Sequence, residues 1–289
     1  MRLRFLVFYC IFLAVSSFSY VPVKERGIPL YYWEDRMGSC YKNFGDVLSE
    51  KIVERLVGHP INTTFNPSFS KHYQTCKLLA LGSILHKAEN GDIIWGSGIN
   101  GKHLDPQDKR FYRFHALDVR ACRGPLTRKF LLNLGVDCPE VYGDPGLLLP
   151  LLFPEFTKNS RPQKDYIILP HWSDQEMFQD DPHFVSITED WQEILRQILD
   201  SQLVISSSLH GIIAAEAFGV PARYIKVSNH EPLFKYIDYY FGTGRPEFVY
   251  ATTVEEALIL GGEPPPECDL DALIKSFPYD AFPNAAPLR

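Results

Sequence analysis

The strongest constraint on this chain is an alternation of short apolar runs with segments of helical periodicity. The apolar runs are bounded by turn residues and predict buried strands at residues 92–95, 114–121, 166–169, 203–206 and 221–225. The segments of helical periodicity predict helices at residues 46–57, 125–134, 191–199 and 211–218. Because strands that alternate with helices pair in parallel and need cover on both faces, the pattern predicts an α/β fold.

A proline-rich break at residues 150–162 divides this pattern into two similar halves. We predict an N-terminal Rossmann-like lobe over residues 20–150 and a C-terminal Rossmann-like lobe over residues 151–262. Both lobes would contain parallel sheets, with a cleft between the lobes. Residues 263–289 predict a proline-rich linker followed by a terminal helix.

The first residues have the layout of a targeting segment. Arg2 and Arg4 precede an apolar run from Phe5 to Val15, and small residues follow. The run is shorter than the roughly 20 apolar residues of a membrane-spanning helix. Residues 1–19 therefore predict a signal peptide or a signal anchor, and this segment, if uncleaved, is the expected point of membrane contact.

Charge and cysteine content exclude several classes of protein. The chain has 35 acidic and 29 basic residues, a net charge of -6, which argues against a nucleic-acid binder. Its six cysteines form no CxxC pair, so neither a zinc site nor a dense disulfide framework is expected. One or two disulfides and separate buried thiols both stay open, and no metal site is predicted.

Three strand-to-helix loops carry unusual residues, and ligands of open parallel sheets bind beyond the carboxyl ends of the strands. The first loop, residues 96–101, matches GxGxxG, but no helical periodicity follows it. A dinucleotide site is therefore disfavoured. Gly96, Ser97 and Gly98 predict either the wall of a ligand cleft or a plain tight turn.

The second loop places Arg123 where a strand turns into a helix, with Gly124 and Thr127 beside it. A guanidinium group and helix amides are suited to hold one anion. The alternative is an exposed arginine in a surface ion pair.

The third loop, residues 206–211, is rich in serine and ends at His210 and Gly211. The hydroxyls of Ser207 and Ser208 are suited to bind phosphate oxygens. His210, at a helix start, can donate to an anion or pass a proton. The alternative is a packed core histidine.

Asp46 has two possible roles at the start of the first helix. It is a natural N-cap, and it is also a candidate general base toward a hydroxyl group. His171 and Asp144 are weaker candidates of the same kind.

Five motifs, taken in order, resemble the polysaccharide pyruvyl transferase family, in particular the bacterial exopolysaccharide ketal-pyruvate transferases. They span most of the chain after the targeting segment, and their order is more specific than any one of them. The motifs are Asn43-Phe44-Gly45-Asp46, Trp95-Gly96-Ser97-Gly98, Val119-Arg120-Ala121-Cys122-Arg123-Gly124-Pro125-Leu126-Thr127, Gly143-Asp144-Pro145 and Ser208-Leu209-His210-Gly211.

The resemblance implies two Rossmann-like lobes arranged as in GT-B glycosyltransferases. It also implies phosphoenolpyruvate as the donor co-substrate, a glycan with a pair of hydroxyls as the acceptor partner, and no further cofactor. Some relatives have an arginine where this chain has Ser208.

This chemistry suggests roles for the candidate residues. We predict that Arg123 holds the donor carboxylate or phosphate, that His210 binds phosphate and supplies a proton, and that Asp46 orients or deprotonates the hydroxyl. The predicted substrate-binding residues are Asn43, Gly45, Gly96, Ser97, Gly98, Thr127, His171, Ser207, Ser208, Leu209 and Gly211.

Two other functions stay open at this point. The same cleft would suit a glycosyltransferase that uses nucleotide sugars, and a glycan-binding relative without activity is the second alternative. The targeting segment and the sequon at Asn62 favour the secretory pathway, with the Golgi lumen as the expected location. The resemblance to bacterial enzymes implies the cytoplasm as the alternative.

Overall fold

The computed structural model describes residues 27–33, 43–105, 108, 110–283 and 285. The predicted targeting segment, residues 1–19, lies outside the described residues, so its assignment and the location of the protein stay predictions. Within the described part of the chain, no helix is long and apolar enough to cross a membrane.

The described residues form an α/β structure, as the alternating pattern predicts. The strands are β1 (Leu30–Tyr31), β2 (Thr63–Thr64), β3 (Leu78–Leu79), β4 (Ile93–Trp95), β5 (Asp118–Ala121), β6 (Ile167–Ile168), β7 (Val204–Ser206) and β8 (Ala222–Tyr224). The helices are α1 (Phe44–Val57), α2 (Phe69–Tyr73), α3 (Pro125–Asn133), α4 (Leu149–Leu152), α5 (Trp191–Leu199), α6 (Leu209–Ala217), α7 (Phe234–Gly242), α8 (Val254–Leu260) and α9 (Leu270–Lys275).

The strands form two sheets, and their pairing is parallel throughout. One sheet has the order β2-β1-β3-β4-β5, and the other has the order β6-β7-β8. Parallel strands need crossover connections, which the helices supply. The predicted α/β class with parallel sheets is therefore confirmed.

A hydrophobic core joins residues of both sheets. One cluster of buried side chains contains Leu30 and Trp95 from the first sheet together with Val204 and Tyr224 from the second. Helix α1 packs against both α5 and α6. Helix α4 crosses the boundary predicted at residue 150. The division into lobes therefore stays a prediction.

Helix α1 begins two residues earlier than predicted, and the reason is its cap. Asn43 is the N-cap, and its side-chain oxygen accepts a hydrogen bond from the Gly45 N–H at 3.0 Å. Asp46 lies inside the first turn. Asn43 is therefore the N-cap, and the capping role predicted for Asp46 is wrong.

Helix α7 is absent from the sequence-based prediction. Its buried residues include Lys235 and Asp238 as well as three tyrosines. Charged residues count as polar in a sequence pattern, so the burial of Lys235 and Asp238 obscures which face of α7 points inward. The helix is therefore missing from the sequence-based prediction.

Ionic contacts fix helix α6 to the segment after α7. The Arg245 guanidinium donates to Glu216 at 2.7 and 2.9 Å, and Tyr239 donates its hydroxyl hydrogen bond to Glu216 at 2.6 Å. All three residues are buried. This pairing holds α6 in place, and α6 carries His210 in its first turn.

Candidate active site

A cavity of about 750 Å³ lies where the segments that follow several strands converge. Its lining comes from the residues after β1, β3 and β4 in the first sheet and after β6, β7 and β8 in the second. This is the edge at which open parallel sheets bind ligands. The predicted site residues that line the cavity are Asn43, Asp46, His171, Ser208, Leu209 and His210.

His210 lies where the first turns of α1 and α6 meet. The α-carbon of Gly45 packs against the imidazole so closely that a Cβ at this position would overlap Nδ1. The sequence predicts Gly45 as a binding residue, and the structure gives it a different task. It leaves the space that the His210 ring occupies.

Asp144 supports His210 from the interior. One of its carboxylate oxygens accepts from the Gly146 N–H at 2.9 Å, and the other lies 3.6 Å from Nε2 of His210. Asp144 is fully buried and does not line the cavity. At 3.6 Å the two atoms are too far apart for a hydrogen bond, and neither of these buried atoms has another hydrogen-bond partner within the described residues.

Asp46 lines the cavity one residue beyond the glycine that packs on His210. Desolvation by burial raises the pKa of the Asp46 carboxyl to about 8. The positive end of helix α1 acts in the opposite direction. A carboxyl group with a pKa of about 8 is mostly protonated at pH 7, so it can donate a proton.

Arg123 is buried behind the cavity wall and does not line it. Its Nε donates to Asp238 at 3.2 Å, Nη1 to Ser83 Oγ at 2.6 Å, and Nη2 to the Ile99 carbonyl at 2.6 Å. Ser83 does line the cavity. All three partners of the guanidinium are protein groups. The predicted contact between Arg123 and the donor substrate stays a prediction.

The N-terminus of α3 holds an anion, as the second loop suggests, and that anion is Asp238. The carboxylate accepts from the N–H groups of Leu126 and Thr127 at 2.9 and 3.0 Å, and from Thr127 Oγ1 at 2.6 Å. Gly124 allows this approach, since a Cβ there would overlap the Asp238 backbone. Thr127 thus binds an internal carboxylate.

The glycine-rich loop also packs against protein groups. A Cβ at Gly96 would overlap the Pro145 ring, and one at Gly98 would overlap the Arg123 guanidinium. Ser97 donates its hydroxyl hydrogen bond to the Gly82 carbonyl at 2.9 Å. None of the three lines the cavity. These three residues therefore pack internally, whereas Asn100 of the same loop lines the cavity.

The serine-rich loop positions His171. Ser207 Oγ accepts from the His171 N–H at 2.9 Å and donates to Asp174 at 2.8 Å. Ser208 lines the cavity, whereas Ser207 lies behind the wall. A Cβ at Gly211 would press on Ser206 Oγ and Leu169. Gly211 therefore permits close packing of α6 on the strands.

His171 lines the cavity as a neutral ring. Burial, with a smaller effect of the nearby Lys235 charge, lowers the pKa of His171 to about 4. Its Nδ1 lies 2.8 Å from Ser173 Oγ. At neutral pH the imidazole is a hydrogen-bonding group rather than a cation.

Sequence reasoning missed a charged cluster on the cavity wall. Glu231 accepts from Lys235 and from Lys102, each at 2.6 Å, and from Asn100 at 2.9 Å. Burial alone would raise the pKa of Glu231, but Lys235 and Lys102 together outweigh burial and lower it to about 2. Two lysines and one carboxylate leave a net positive charge. In the sequence, the only signal for this cluster was Asn100, within the glycine-rich loop, and Lys102, directly after it.

Comparison with known proteins identifies relatives over most of the chain. The sequence profile of the family described as Polysaccharide pyruvyl transferase matches residues 43–229. Succinoglycan biosynthesis protein ExoV of Rhizobium meliloti (strain 1021) is 29% identical over 247 residues, which cover 80% of this chain and 71% of that protein. The uncharacterized protein L143 of Acanthamoeba polyphaga mimivirus is 27% identical over 272 residues, 87% of each chain.

A solved structure is also similar. The functionally uncharacterized protein KP1_0663 of Klebsiella pneumoniae subsp. pneumoniae NTUH-K2044 matches with a TM-score of 0.46 and 12% identity. The match covers 79% of this chain and 94% of that one.

Proposed function

Because the chain belongs to the polysaccharide pyruvyl transferase family, we propose that it moves a pyruvyl group from phosphoenolpyruvate to two hydroxyls of a glycan. The product would be a ketal, and phosphate would be released. Succinoglycan is a polysaccharide, and the similarity to a succinoglycan biosynthesis protein supports a polysaccharide acceptor.

The observation that carries this proposal is the meeting of Asp46 and His210 at one cavity, in the first turns of two helices. The positive ends of α1 and α6 favour an anionic donor beside these side chains. A proton donor and a proton acceptor beside an anion site are what ketal formation from phosphoenolpyruvate requires.

The reaction balances with the groups on the two substrates. A proton adds to C3 of phosphoenolpyruvate, the first sugar oxygen bonds to C2, and its hydroxyl proton leaves. The second sugar oxygen then bonds to C2 as the bond from C2 to the phosphate oxygen breaks. Two hydroxyl protons are released in total. One balances the proton added at C3, and the other leaves with phosphate.

We assign the proton donated to C3 to Asp46, because its raised pKa keeps the carboxyl mostly protonated at neutral pH. This replaces the base role predicted from the sequence. The base that accepts the hydroxyl proton is His210. The carboxylate of Asp144 faces the same imidazole from the interior, 3.6 Å from Nε2.

Positive charge for the donor comes from Lys102 and Lys235 in this proposal. Both lysines line the cavity, and a single carboxylate, Glu231, is shared between them. Some family members have an arginine at the position of Ser208, and the two lysines supply the positive charge that this arginine would provide. Arg123 acts from behind the wall, where it holds Ser83 at the cavity surface.

Steady-state assays of phosphate release and ketal formation test the proposal. We expect His210→Ala and Asp46→Asn each to lower kcat by about 10²- to 10⁴-fold. The control is His115→Ala, an exposed histidine away from the cavity, which should retain wild-type kinetics. Near wild-type turnover in both cavity variants would contradict the assigned roles.

A further inference from the structure

Two exposed tryptophans line the same cavity as His210. Trp33 is 47% exposed and Trp172 is 59% exposed. Large apolar side chains that remain exposed on the wall of a cavity mark ligand-binding surfaces. Nothing in the proton-transfer chemistry uses an indole ring, so these two side chains require another explanation.

The two tryptophans come from different sheets. Trp33 follows β1, and Trp172 follows β6 at the start of a short 3-10 helix, Trp172–Met177. The Lys87 ammonium lies over the Trp33 ring at 5.0 Å from its centroid. The ring of Trp172 lies 6.1 Å from that of His171. Each indole therefore lies beside a specific side chain, Lys87 or His171, at the ligand-binding edge of its sheet.

Polar groups suited to hydroxyls lie next to Trp172. Gln175, Glu176 and Gln179 line the cavity from the same segment. The Gln175 side-chain oxygen accepts from Ser186 Oγ and from the Ile187 N–H at 2.8 and 3.0 Å. These bonds fix the amide through its oxygen, and its NH₂ group takes no part in them.

This combination matches the chemistry of a pyranose. One face of a sugar ring presents C–H groups, which pack on an aromatic surface, and its edge presents hydroxyls, which bond to amides and carboxylates. Phosphoenolpyruvate, in contrast, is a small multiply charged anion. The lysine cluster around Glu231 suits the donor, and the tryptophan side of the cavity does not.

We propose that Trp172 and Trp33 form the acceptor subsite, which binds neutral pyranose residues of a glycan by stacking. The inference rests on the proposed function, whose donor chemistry it complements. A cavity of about 750 Å³ has the size of sites for much larger ligands than phosphoenolpyruvate. An oligosaccharide that contacts both indoles is therefore the expected acceptor, rather than a single sugar.

The test compares Trp172→Ala and Trp33→Ala with Trp172→Phe. The control is Tyr73→Ala, because Tyr73 is an aromatic residue 65% exposed outside the cavity. Two quantities are measured: KM for each substrate, and the affinity for oligosaccharides without phosphoenolpyruvate. The probes are lactose, cellobiose and succinoglycan fragments freed of their ketals, and binding is followed by calorimetry.

We expect each alanine variant to weaken glycan binding about tenfold, which corresponds to about 1.4 kcal/mol. KM for phosphoenolpyruvate should stay unchanged, Trp172→Phe should keep most of the affinity, and Tyr73→Ala should behave as wild type. Unchanged glycan affinity in both alanine variants, or an equal rise in the donor KM, would overturn the subsite.

The two proposals fail in different ways. If wild type binds an oligosaccharide through these tryptophans but transfers no pyruvyl group, the subsite stands and the proposed reaction fails. If wild type transfers a pyruvyl group and the alanine variants keep the acceptor KM, the reaction stands and the subsite fails. Wild type that binds none of the probes at millimolar concentration overturns the subsite as well.

Discussion

Asp238 is the single carboxylate on which the wall behind the cavity depends. It accepts hydrogen bonds from the backbone N–H groups of Leu126 and Thr127 and from the Thr127 hydroxyl. It also forms an ion pair with Arg123. The Arg123 and Asp238 side chains are 1% and 0% exposed. The substitution Asp238→Asn keeps the shape of the side chain and removes its charge.

The expected loss follows from the burial of Arg123. Removing one partner of a buried ion pair leaves an uncompensated charge and costs about 3–5 kcal/mol. Folded domains have a stability of about 5–15 kcal/mol, so this is a large fraction of the total. For a chain of this size the melting temperature should fall by roughly 10 °C.

Urea and thermal unfolding, followed by tryptophan fluorescence, measure this effect. The matched control is Asp137→Asn, an exposed aspartate after α3, which should change stability by less than about 0.5 kcal/mol. In an Arg123→Met background, Asp238→Asn should cost much less, because no buried cation remains. Equal losses for Asp238→Asn and Asp137→Asn, or full additivity in the double variant, would refute the reasoning.

Three further outcomes concern the cavity. Gly45→Ala should keep the fold, since alanine favours a helix. It should lower kcat by about 10²-fold, because the new methyl group displaces the His210 ring, and an unchanged kcat would contradict the close packing of Gly45 on His210. With the pKa of Asp46 raised to about 8, its acidic form is lost at higher pH, so kcat should fall above about pH 8, and Asp46→Asn should abolish this limb. A limb near pH 4 instead would mean that the α1 dipole outweighs burial. Lys235→Ala should raise the KM for phosphoenolpyruvate at least about tenfold, whereas Lys129→Ala, at an exposed position, should leave it unchanged.

Local patterns in the sequence predict the helices and strands that have one buried face and one exposed face. Helix α5 spans residues 191–199 as predicted, because Ile194, Leu195 and Ile198 are buried on one side. Helix α3 begins at Pro125, as the proline predicts. Strand β5 is shorter than predicted, at Asp118–Ala121, although Phe114 is buried. Burial alone therefore did not indicate a strand.

The sequence predicts a site residue when its place directly after a strand determines where it lies. It does not predict a contact that depends on a partner far along the chain. His210 follows the predicted strand at residues 203–206, so the rule for parallel sheets places it at the ligand-binding edge of the second sheet. Asp46 follows β1, which belongs to the first sheet and is absent from the sequence-based prediction. The partner of Arg123 lies 115 residues away, in a helix that is absent from the sequence-based prediction. No local pattern shows that Asp238, rather than a ligand, occupies the N-terminus of α3.

The most direct test of the account is the reaction in D₂O with phosphoenolpyruvate and a glycan acceptor, followed by NMR. We predict a ketal whose methyl group carries one deuterium, since the acid that protonates C3 exchanges with solvent, and one phosphate released per ketal. Asp46→Asn should form this product at a rate lower by about 10²-fold or more. A protein that releases no phosphate with any glycan, or that forms a ketal without deuterium in the methyl group, would contradict the account.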